Sequence, residues 1–300
     1  MTHVATLTAL PAALDAATIE RARSALPNAG AALWLGSAAA ADIPFIPEAG
    51  VDQRALASKV RNTINAPVDV VIQPAAGRRK KLFLADMDST MIGQECIDEL
   101  ADYAGLKAHV AAITERAMRG EIAFEPALRE RVALLKGLPV TAIDDVLEKH
   151  IKLTPGARML VATMRANGAY TCMVSGGFTL FTDRIATMIG FKENRANTLL
   201  ADNGKLSGAV TEPIFGRDSK RATLIELRQK LGLAKDETMA IGDGANDMAM
   251  IAEAGLGVAY HAKPKVAEAA PMRIEHGDLT ALLYAQGYKK EEFVEVAPSS

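Results

Sequence analysis

Short apolar runs recur along the later part of the chain, separated by segments of helical periodicity. The runs are Leu82–Ala85, Tyr170–Val174, Thr238–Ile241, Leu256–Val258 and Met272–Ile274. Leu180–Ile189 and Met248–Ala254 carry apolar residues at the three- and four-residue spacing of a helix face. Strand, turn and helix in repetition predict an α/β fold with a doubly wound, Rossmann-like parallel sheet, its ligands gathering beyond the carboxyl ends of the strands. Asn197–Leu200 and Leu206–Val210 flank Asp202-Asn203-Gly204-Lys205, which predicts a β-hairpin with an Asn-Gly turn.

The alternation stops between Asp88 and Pro155. Apolar positions there fall at Ile97/Leu100/Ala104, Val110/Ile113/Ala117, Phe124/Leu128/Val132/Leu135 and Ile143/Val146/Leu147, all at helical spacing. This predicts a helical cap over about residues 96–153, inserted after the first strand where it can exclude water from the strand ends. Residues 1–76 follow another pattern, with strands predicted at His3–Leu10, Ala31–Leu35 and Val68–Gln73 and helices at Ala17–Leu26 and Gln53–Ile64. That order predicts a small α+β module of ferredoxin-like type. The expected organisation is this module over 1–76, a main domain over 77–292 that carries the cap, and a flexible tail over 293–300.

With 300 residues, 49% hydrophobic and 23% charged, the chain can bury a sizeable core. A net charge of −2, with no basic run longer than Arg78-Arg79-Lys80-Lys81, argues against a nucleic-acid partner. Cys96 and Cys172 form no CxxC pair, which excludes a disulfide framework and a structural zinc site. No apolar stretch approaches ~18 residues and no leader pattern is present, so a cytoplasmic location without a membrane partner is expected.

Chemistry concentrates in four clusters. Lys81-Leu82-Phe83-Leu84-Ala85-Asp86-Met87-Asp88-Ser89-Thr90 drives an apolar strand into two carboxylates one residue apart. An Asx or Ser/Thr turn accounts for that pattern on its own. If both carboxylates are buried a cation must offset them, and Mg²⁺ suits hard oxygen ligands beside a phosphate. One carboxylate can then attack while the other exchanges a proton. Val174-Ser175-Gly176-Gly177-Phe178 offers N–H groups and a hydroxyl to an anion, although a plain strand-to-helix turn has the same sequence. Lys220 falls in the first turn of a predicted helix, where a cation opposes the dipole and a phosphate held nearby would compensate for it. A solvated lysine is the ordinary alternative, as for Arg221. Ile241-Gly242-Asp243-Gly244-Ala245-Asn246-Asp247 has Asp247 where a dinucleotide turn needs its third glycine. That favours a metal site with Asp243 as ligand and Asn246 or Asp247 in support.

Two cap residues stand out. Arg131 lies on the margin of the apolar stripe of its helix; an arginine there needs an anion, and its planar fork suits a carboxylate. Glu95, nine residues after Asp86, can pair with an ammonium group. Together they would recognise an amino-acid zwitterion. A snorkelling arginine and a solvated helix start are the plain alternatives.

Taken in order, the four clusters resemble the motifs of the haloacid-dehalogenase-like superfamily of phosphohydrolases. Asp86/Asp88/Thr90 matches the first motif, Ser175 the second, Lys220 the third and Asp243/Asp247 the fourth, over about residues 80–260. The resemblance implies that Asp86 attacks phosphorus, and that Asp88 protonates the leaving oxygen and later takes a proton from water. It also implies Mg²⁺ on Asp86, Asp88 and Asp243, with Asp247 in support, and phosphoryl contacts from Ser175 and Lys220. Asp88 points to phosphate rather than carbon–halogen chemistry, which needs no leaving-group acid.

QECIDELADYAG (Gln94–Gly105) and RERVALLKGL (Arg129–Leu138) are similar, more narrowly, to the phosphoserine phosphatases of that superfamily. This likeness implies that Glu95 and Arg131 hold the amino and carboxylate groups of phosphoserine. It further implies packing from Met118 and Phe124, phosphate contacts from Gly176 and Asn246, and a place in serine biosynthesis. Action on another small phosphomonoester, by hydrolysis or phosphotransfer, and a non-catalytic phospho-ligand-binding module are the competing readings. The 1–76 module, loosely similar to ACT-like regulatory modules, is expected to serve regulation or a homodimer interface.

Overall fold

The computed structural model describes residues 2–296. Its first sheet is built from β1 (His3–Thr8), β2 (Leu33–Gly36), β3 (Ala40–Phe45) and β4 (Asp69–Pro74), with α1 (Ala16–Ala25) and α2 (Gln53–Ile64) between them. The strands run antiparallel in the order β2-β3-β1-β4. Leu7, Ile43 and Phe45 on one sheet face bury against Ile19 and Ala22 of α1 and Val60 and Ile64 of α2. Asp15 and Asp52 start the two helices by accepting backbone N–H bonds, the expected role for aspartate at such positions.

The second sheet contains β5 (Leu82–Ala85), β6 (Tyr170–Phe178), β7 (Glu193–Asn197), β10 (Thr238–Gly242), β11 (Leu256–Tyr260) and β12 (Met272–Ile274). It is parallel, in the order β12-β11-β10-β5-β6-β7. Both faces of β5 are covered, which is why Leu82–Ala85 reads as an uninterrupted apolar run. Leu82 and Leu84 pack with Leu224 and Leu227 of α9 (Arg217–Lys230) and Met250 of α10 (Met248–Glu253). Phe83 belongs to the opposite layer, with Leu160 of α7 (Ala157–Ala166) and Phe181 of α8 (Thr179–Ile189). From β5 the chain builds outward to β7 on one side, then returns to place β10, β11 and β12 on the other. Asp86 therefore follows the strand at which the winding reverses, where diverging connections leave a crevice.

Between β5 and α7 lie α3 (Cys96–Asp102), α4 (Lys107–Met118), α5 (Phe124–Leu134) and α6 (Ala142–Lys149), in the stretch where a cap was expected. Ile92 and Leu153 bridge antiparallel at its neck. The hairpin of β8 (Leu199–Asp202) and β9 (Lys205–Val210) leans on this layer, with Gly137 N–H donating to Leu206 O and Leu206 N–H to Leu138 O, each at 2.8 Å. Its turn residues Asn203 and Gly204 have φ of 48° and 74°, the left-handed pair that an Asn-Gly hairpin turn requires.

Three expectations change. β7 was not foreseen, because Glu193-Asn194-Arg195-Ala196-Asn197 is polar and half-buried at the sheet edge. β6 runs on through Ser175, Gly176 and Gly177 to Phe178, so this stretch is strand and not a turn. The tail expected from residue 293 is packed at its start: Phe293 is buried with its ring 4.9 Å from that of Tyr284, and Val294 N–H donates to Thr163 Oγ1 at 2.9 Å. Pro298-Ser299-Ser300 lie outside the described residues. Among those described, no helix is long and apolar enough to cross a membrane.

After α11 (Pro264–Ala269), a buried polar seam joins the first sheet to the loop that follows β12 and to α12 (Ala281–Ala285). Asp69, 1% exposed, accepts from Glu275 N–H at 2.7 Å, Gly277 N–H at 2.7 Å and His276 N–H at 3.2 Å. Gln73 Nε2 donates to Ala285 O at 2.6 Å, and Arg78 pairs with Asp42 at 2.8 Å. Replacing Asp69 by Ala would orphan buried N–H groups, so Asp69→Ala is expected to cost roughly 3 kcal/mol, read by urea unfolding of the full chain. Asp69→Asn keeps one acceptor oxygen but sets its Nδ2–H₂ donor against the N–H groups on the other side, so it should cost less than Asp69→Ala yet remain destabilising. No loss of stability in either variant would mean that these hydrogen bonds do not hold the seam.

Candidate active site

Asp86 stands at the end of β5, 4% exposed, with Met87 N–H donating to its Oδ1 at 2.8 Å. Lys220 reaches it from the first turn of α9. Its Nζ lies 2.7 Å from Asp86 Oδ1 and 2.7 Å from Asp247 Oδ1, and the lysine is fully enclosed. Where the sequence led to the expectation of a phosphate, the groups that face this cation are two protein carboxylates. Asp243 follows β10, and one carboxylate oxygen from each of Asp86, Asp243 and Asp247 lies within 4.8 Å of the others. Here the grouping differs from the sequence expectation: Asp247 takes the place given to Asp88. Asp88 is turned elsewhere, accepting from Cys96 N–H at 2.8 Å and from Ser175 Oγ at 3.2 Å.

Burial dominates the electrostatics. It pushes the Asp86 carboxyl well above the usual range, Asp247 adds to the rise, and Lys220 opposes it only in part. Asp243 is pushed up to about 7 by burial and then by Asp247, and burial also raises Asp88. Burial alone would lower Lys220, yet Asp247 and Asp86 together hold its ammonium above the usual lysine range. Three clustered carboxyls against one ammonium leave an excess of negative charge.

The cap closes over this floor. Asp86, Asp88, Glu95, Met118, Phe124 and Arg131 line one narrow cavity of about 30 Å³, with Gly176 and Asn246 on the same wall. Phe124 rests so closely on Gly176 that a Cβ there would come within 2.6 Å of its ring. Met118 O accepts from Ala245 N–H at 3.0 Å, and Lys263 pairs with Glu115 across the same junction at 2.9 Å. Arg131 is 2% exposed. It donates through Nε to Ala127 O at 3.0 Å and through Nη1 to Thr114 Oγ1 at 2.9 Å, and among the described residues no carboxylate lies within ion-pairing distance. Burial draws it below arginine's usual value, with Glu95 and Asp98 opposing. Glu95 accepts from Ser89 Oγ at 2.7 Å, and burial, then Asp88, push its carboxyl well above the ordinary range. Asn246 Oδ1 and Thr90 Oγ1 are buried without a hydrogen-bond partner among the described residues.

Two positioning groups escaped the sequence reading. Asn197, 2% exposed, donates to Gly176 O at 2.9 Å and Phe215 O at 3.0 Å and accepts from Phe215 N–H at 2.6 Å. It pins the Ser175–Gly177 stretch to the loop before α9. Thr114 joins Arg131 to Asp98, donating to Asp98 Oδ1 at 2.6 Å. A polar residue inside the apolar stripe of α4 was the available signal.

A profile of the haloacid dehalogenase-like hydrolases matches residues 83–252, which hold every member of the Asp86, Lys220 and Asp243 cluster. The chain belongs to that family. Among curated relatives, the phosphoserine phosphatase of Polaromonas sp. is 49% identical over 208 residues, 68% of this chain and 88% of the relative. The phosphoserine phosphatase of Saccharomyces cerevisiae is 39% identical over 85% of this chain and 84% of its own. A HAD family hydrolase from Salmonella enterica serovar Typhi superposes with a TM-score of 0.83 at 26% identity, over 97% of this chain and 99% of its own. A substrate-bound phosphoserine phosphatase structure covers 68% of this chain and 97% of its own, with a TM-score of 0.66 at 38% identity.

The raised carboxyls fix a pH dependence. Asp243 rises from 3.8 to about 7, so between those values the folded protein holds a proton that the unfolded chain has lost. Stability of cation-stripped protein should therefore fall as pH rises through that window and level off above it. A divalent cation that replaces the proton should raise the melting temperature more at pH about 8 than at pH about 5. Thermal melts with chelator and with added Mg²⁺ measure both; a larger cation effect at the lower pH would contradict the charge arrangement.

Proposed function

We propose that the protein hydrolyses O-phosphoserine to serine and inorganic phosphate, with Asp86 as nucleophile. The observation that carries this reading is Arg131, enclosed without a carboxylate partner, in the same cavity as Glu95 and the Asp86/Asp88 pair. An arginine so placed is ready for a substrate carboxylate, and Glu95 for an ammonium. The names of the relatives support the same substrate.

In the first half-reaction Asp86 attacks phosphorus, the bond from phosphorus to the serine oxygen breaks, and Asp88 gives that oxygen a proton. In the second, water attacks the aspartyl-phosphate, Asp88 takes its proton, and the bond from phosphorus to Asp86 breaks. Burial raises Asp88, which suits a carboxyl that starts protonated, and Cys96 N–H and Ser175 Oγ hold it in place. Lys220, Ser175, Gly176 and Asn246 are assigned to the phosphoryl oxygens, and Met118 and Phe124 to the walls that exclude water.

Asp86, Asp243 and Asp247 would hold Mg²⁺, because an all-oxygen donor set with excess negative charge fits a hard divalent cation. When bound, the ion supplies charge compensation to the carboxylates and the phosphoryl oxygens. A cytoplasmic location belongs to the same reading, as does a homodimer through the first sheet. For the latter, β2 is an edge strand with Leu33 and Trp34 exposed, and sedimentation of the full chain tests it.

Two substitutions separate chemistry from recognition. Asp86→Asn should lower phosphoserine turnover by at least about a thousandfold while leaving the fold intact; turnover that survives it overturns the mechanism. Arg131→Ala should lower kcat/KM for phosphoserine about 100-fold and largely spare p-nitrophenyl phosphate. Equal loss on both substrates would make Arg131 a structural residue and remove the basis for serine.

A further inference from the structure

The guanidinium of Arg131 is enclosed, and Asp98 reaches it only through another side chain. Arg131 Nη1 donates to Thr114 Oγ1 at 2.9 Å, and Thr114 Oγ1 donates to Asp98 Oδ1 at 2.6 Å. Asp98 lies on α3, Thr114 on α4 and Arg131 on α5, so three helices of the cap meet at one hydroxyl. That hydroxyl belongs to a residue 2% exposed, whereas Asp98 is half-buried.

A hydroxyl has one proton to give and two lone pairs to offer. Thr114 Oγ1 is 2.6 Å from a carboxylate oxygen and 3.0 Å from Val110 O, one turn back in α4. The shorter, charge-assisted contact takes the proton, which leaves a lone pair for Arg131. A bond to the carbonyl one turn back is all that a threonine inside a helix needs; here the hydroxyl also joins two charged side chains. Of the five guanidinium N–H groups, Nε is spent on Ala127 O at 3.0 Å and one of Nη1 on Thr114. The remainder, one on Nη1 and both on Nη2, include the end-on pair that grips a carboxylate through two parallel bonds. Direct pairing of Asp98 with Arg131 would occupy that pair. Burial draws Arg131 down, with Glu95 and then Asp98 opposing; burial pushes Asp98 up, with Thr114 and then Arg131 opposing. The two charges therefore act on each other while a hydroxyl keeps them apart.

We propose that Thr114 is the positioning residue for recognition of the substrate carboxylate. Its hydroxyl, anchored on Asp98, holds the Arg131 fork open toward the cavity and keeps Asp98 from filling it. This rests on the reading of Arg131 as the carboxylate site and adds what aims it. Arg131 lines the cavity at Asp86, whereas neither Thr114 nor Asp98 does, so any effect of Thr114 on substrate passes through its neighbour. Without the hydroxyl, Arg131 loses one of its two tethers and Asp98 is free to close on it as a direct ion pair. Both changes weaken the grip on a carboxylate and neither touches the phosphoryl end.

The test is a double-mutant cycle on the full chain, with phosphoserine and with p-nitrophenyl phosphate, which has no carboxylate. Thr114→Val should raise KM for phosphoserine about tenfold, with kcat within about threefold and kcat/KM for p-nitrophenyl phosphate within about twofold. Thr114→Ser, which keeps the hydroxyl, should restore most of the loss. In the Arg131→Ala background Thr114→Val should change phosphoserine kinetics no further, because the group through which it acts is gone. Thr114→Ala, which sets no methyl between the two charges, takes the place of Thr114→Val if that variant does not fold. An unchanged KM for phosphoserine, equal losses on the two substrates, or additive losses in the cycle would overturn the proposal. If Arg131→Ala costs both substrates equally, the reading of Arg131 falls and this proposal with it. If Arg131→Ala discriminates between them and Thr114→Val does not, only the role of Thr114 falls.

Discussion

Everything at the strand ends depends on how Lys220 is shared. One enclosed ammonium lies 2.7 Å from Asp86 and 2.7 Å from Asp247, and Asp243 completes the group without an ammonium of its own. One ammonium balances one carboxylate, so the second leaves one negative charge and the third leaves two, which in a dry interior a proton or a cation must offset. Burial first, and the neighbouring Asp247 carboxylate second, displace Asp86 and Asp243 upward. Lys220 thus keeps the cluster from being prohibitively anionic while leaving it anionic enough to attract a cation.

The cap turns this floor into a recognition site. A cavity of about 30 Å³ has room for little more than ordered water, so the contact of Phe124 with Gly176 marks a closed position from which any phosphorylated amino acid is excluded. Entry requires α4 and α5 to lift together, since Met118 and Phe124 ride on them. Against that motion stand the Met118 O bond from Ala245 N–H, the packing of Phe124 on Gly176 and the Lys263–Glu115 pair, of which the last is partly exposed and contributes at most about 1 kcal/mol.

The sequence was most informative where both faces of an element are buried or a motif is local. Leu82–Ala85 and Met272–Ile274 coincide with β5 and β12, and Gln53–Ile64 with α2, because apolar spacing alone defines them. Arg131 was readable from its place beside an apolar stripe, and the structure encloses it. The misses arise from contacts between residues distant in the chain. Glu193–Asn197 is a strand because the sheet edge recruits it, not because its residues favour one. Sequence order could not show that Cys96 N–H and Ser175 Oγ claim the Asp88 carboxylate oxygens, or that Asp247 joins Asp86 and Asp243 in one carboxylate group. Thr114 and Asn197 act through partners seventeen and twenty-one residues away, beyond any local pattern.

The first sheet bears on the active-site side through backbone contacts and not merely by adjacency. Asp69 fixes the N–H groups of Glu275, His276 and Gly277; Gly277 O meets the His261 ring at 3.0 Å; and Lys263 N–H donates to Asp243 O at 3.0 Å. The segment after β11 is thereby held at both ends, against the first sheet and against the loop that carries Asp243. His261 has a φ of 42°, a conformation that costs energy for a residue with a side chain and persists only where neighbours over-determine it. The seam supplies that determination, and Lys263, which follows at once, spans from Asp243 to Glu115 of the cap. Strain at His261 is thus offset by hydrogen bonds whose acceptor, Asp69, lies in β4, so the integrity of the first sheet enters the geometry of the carboxylate cluster.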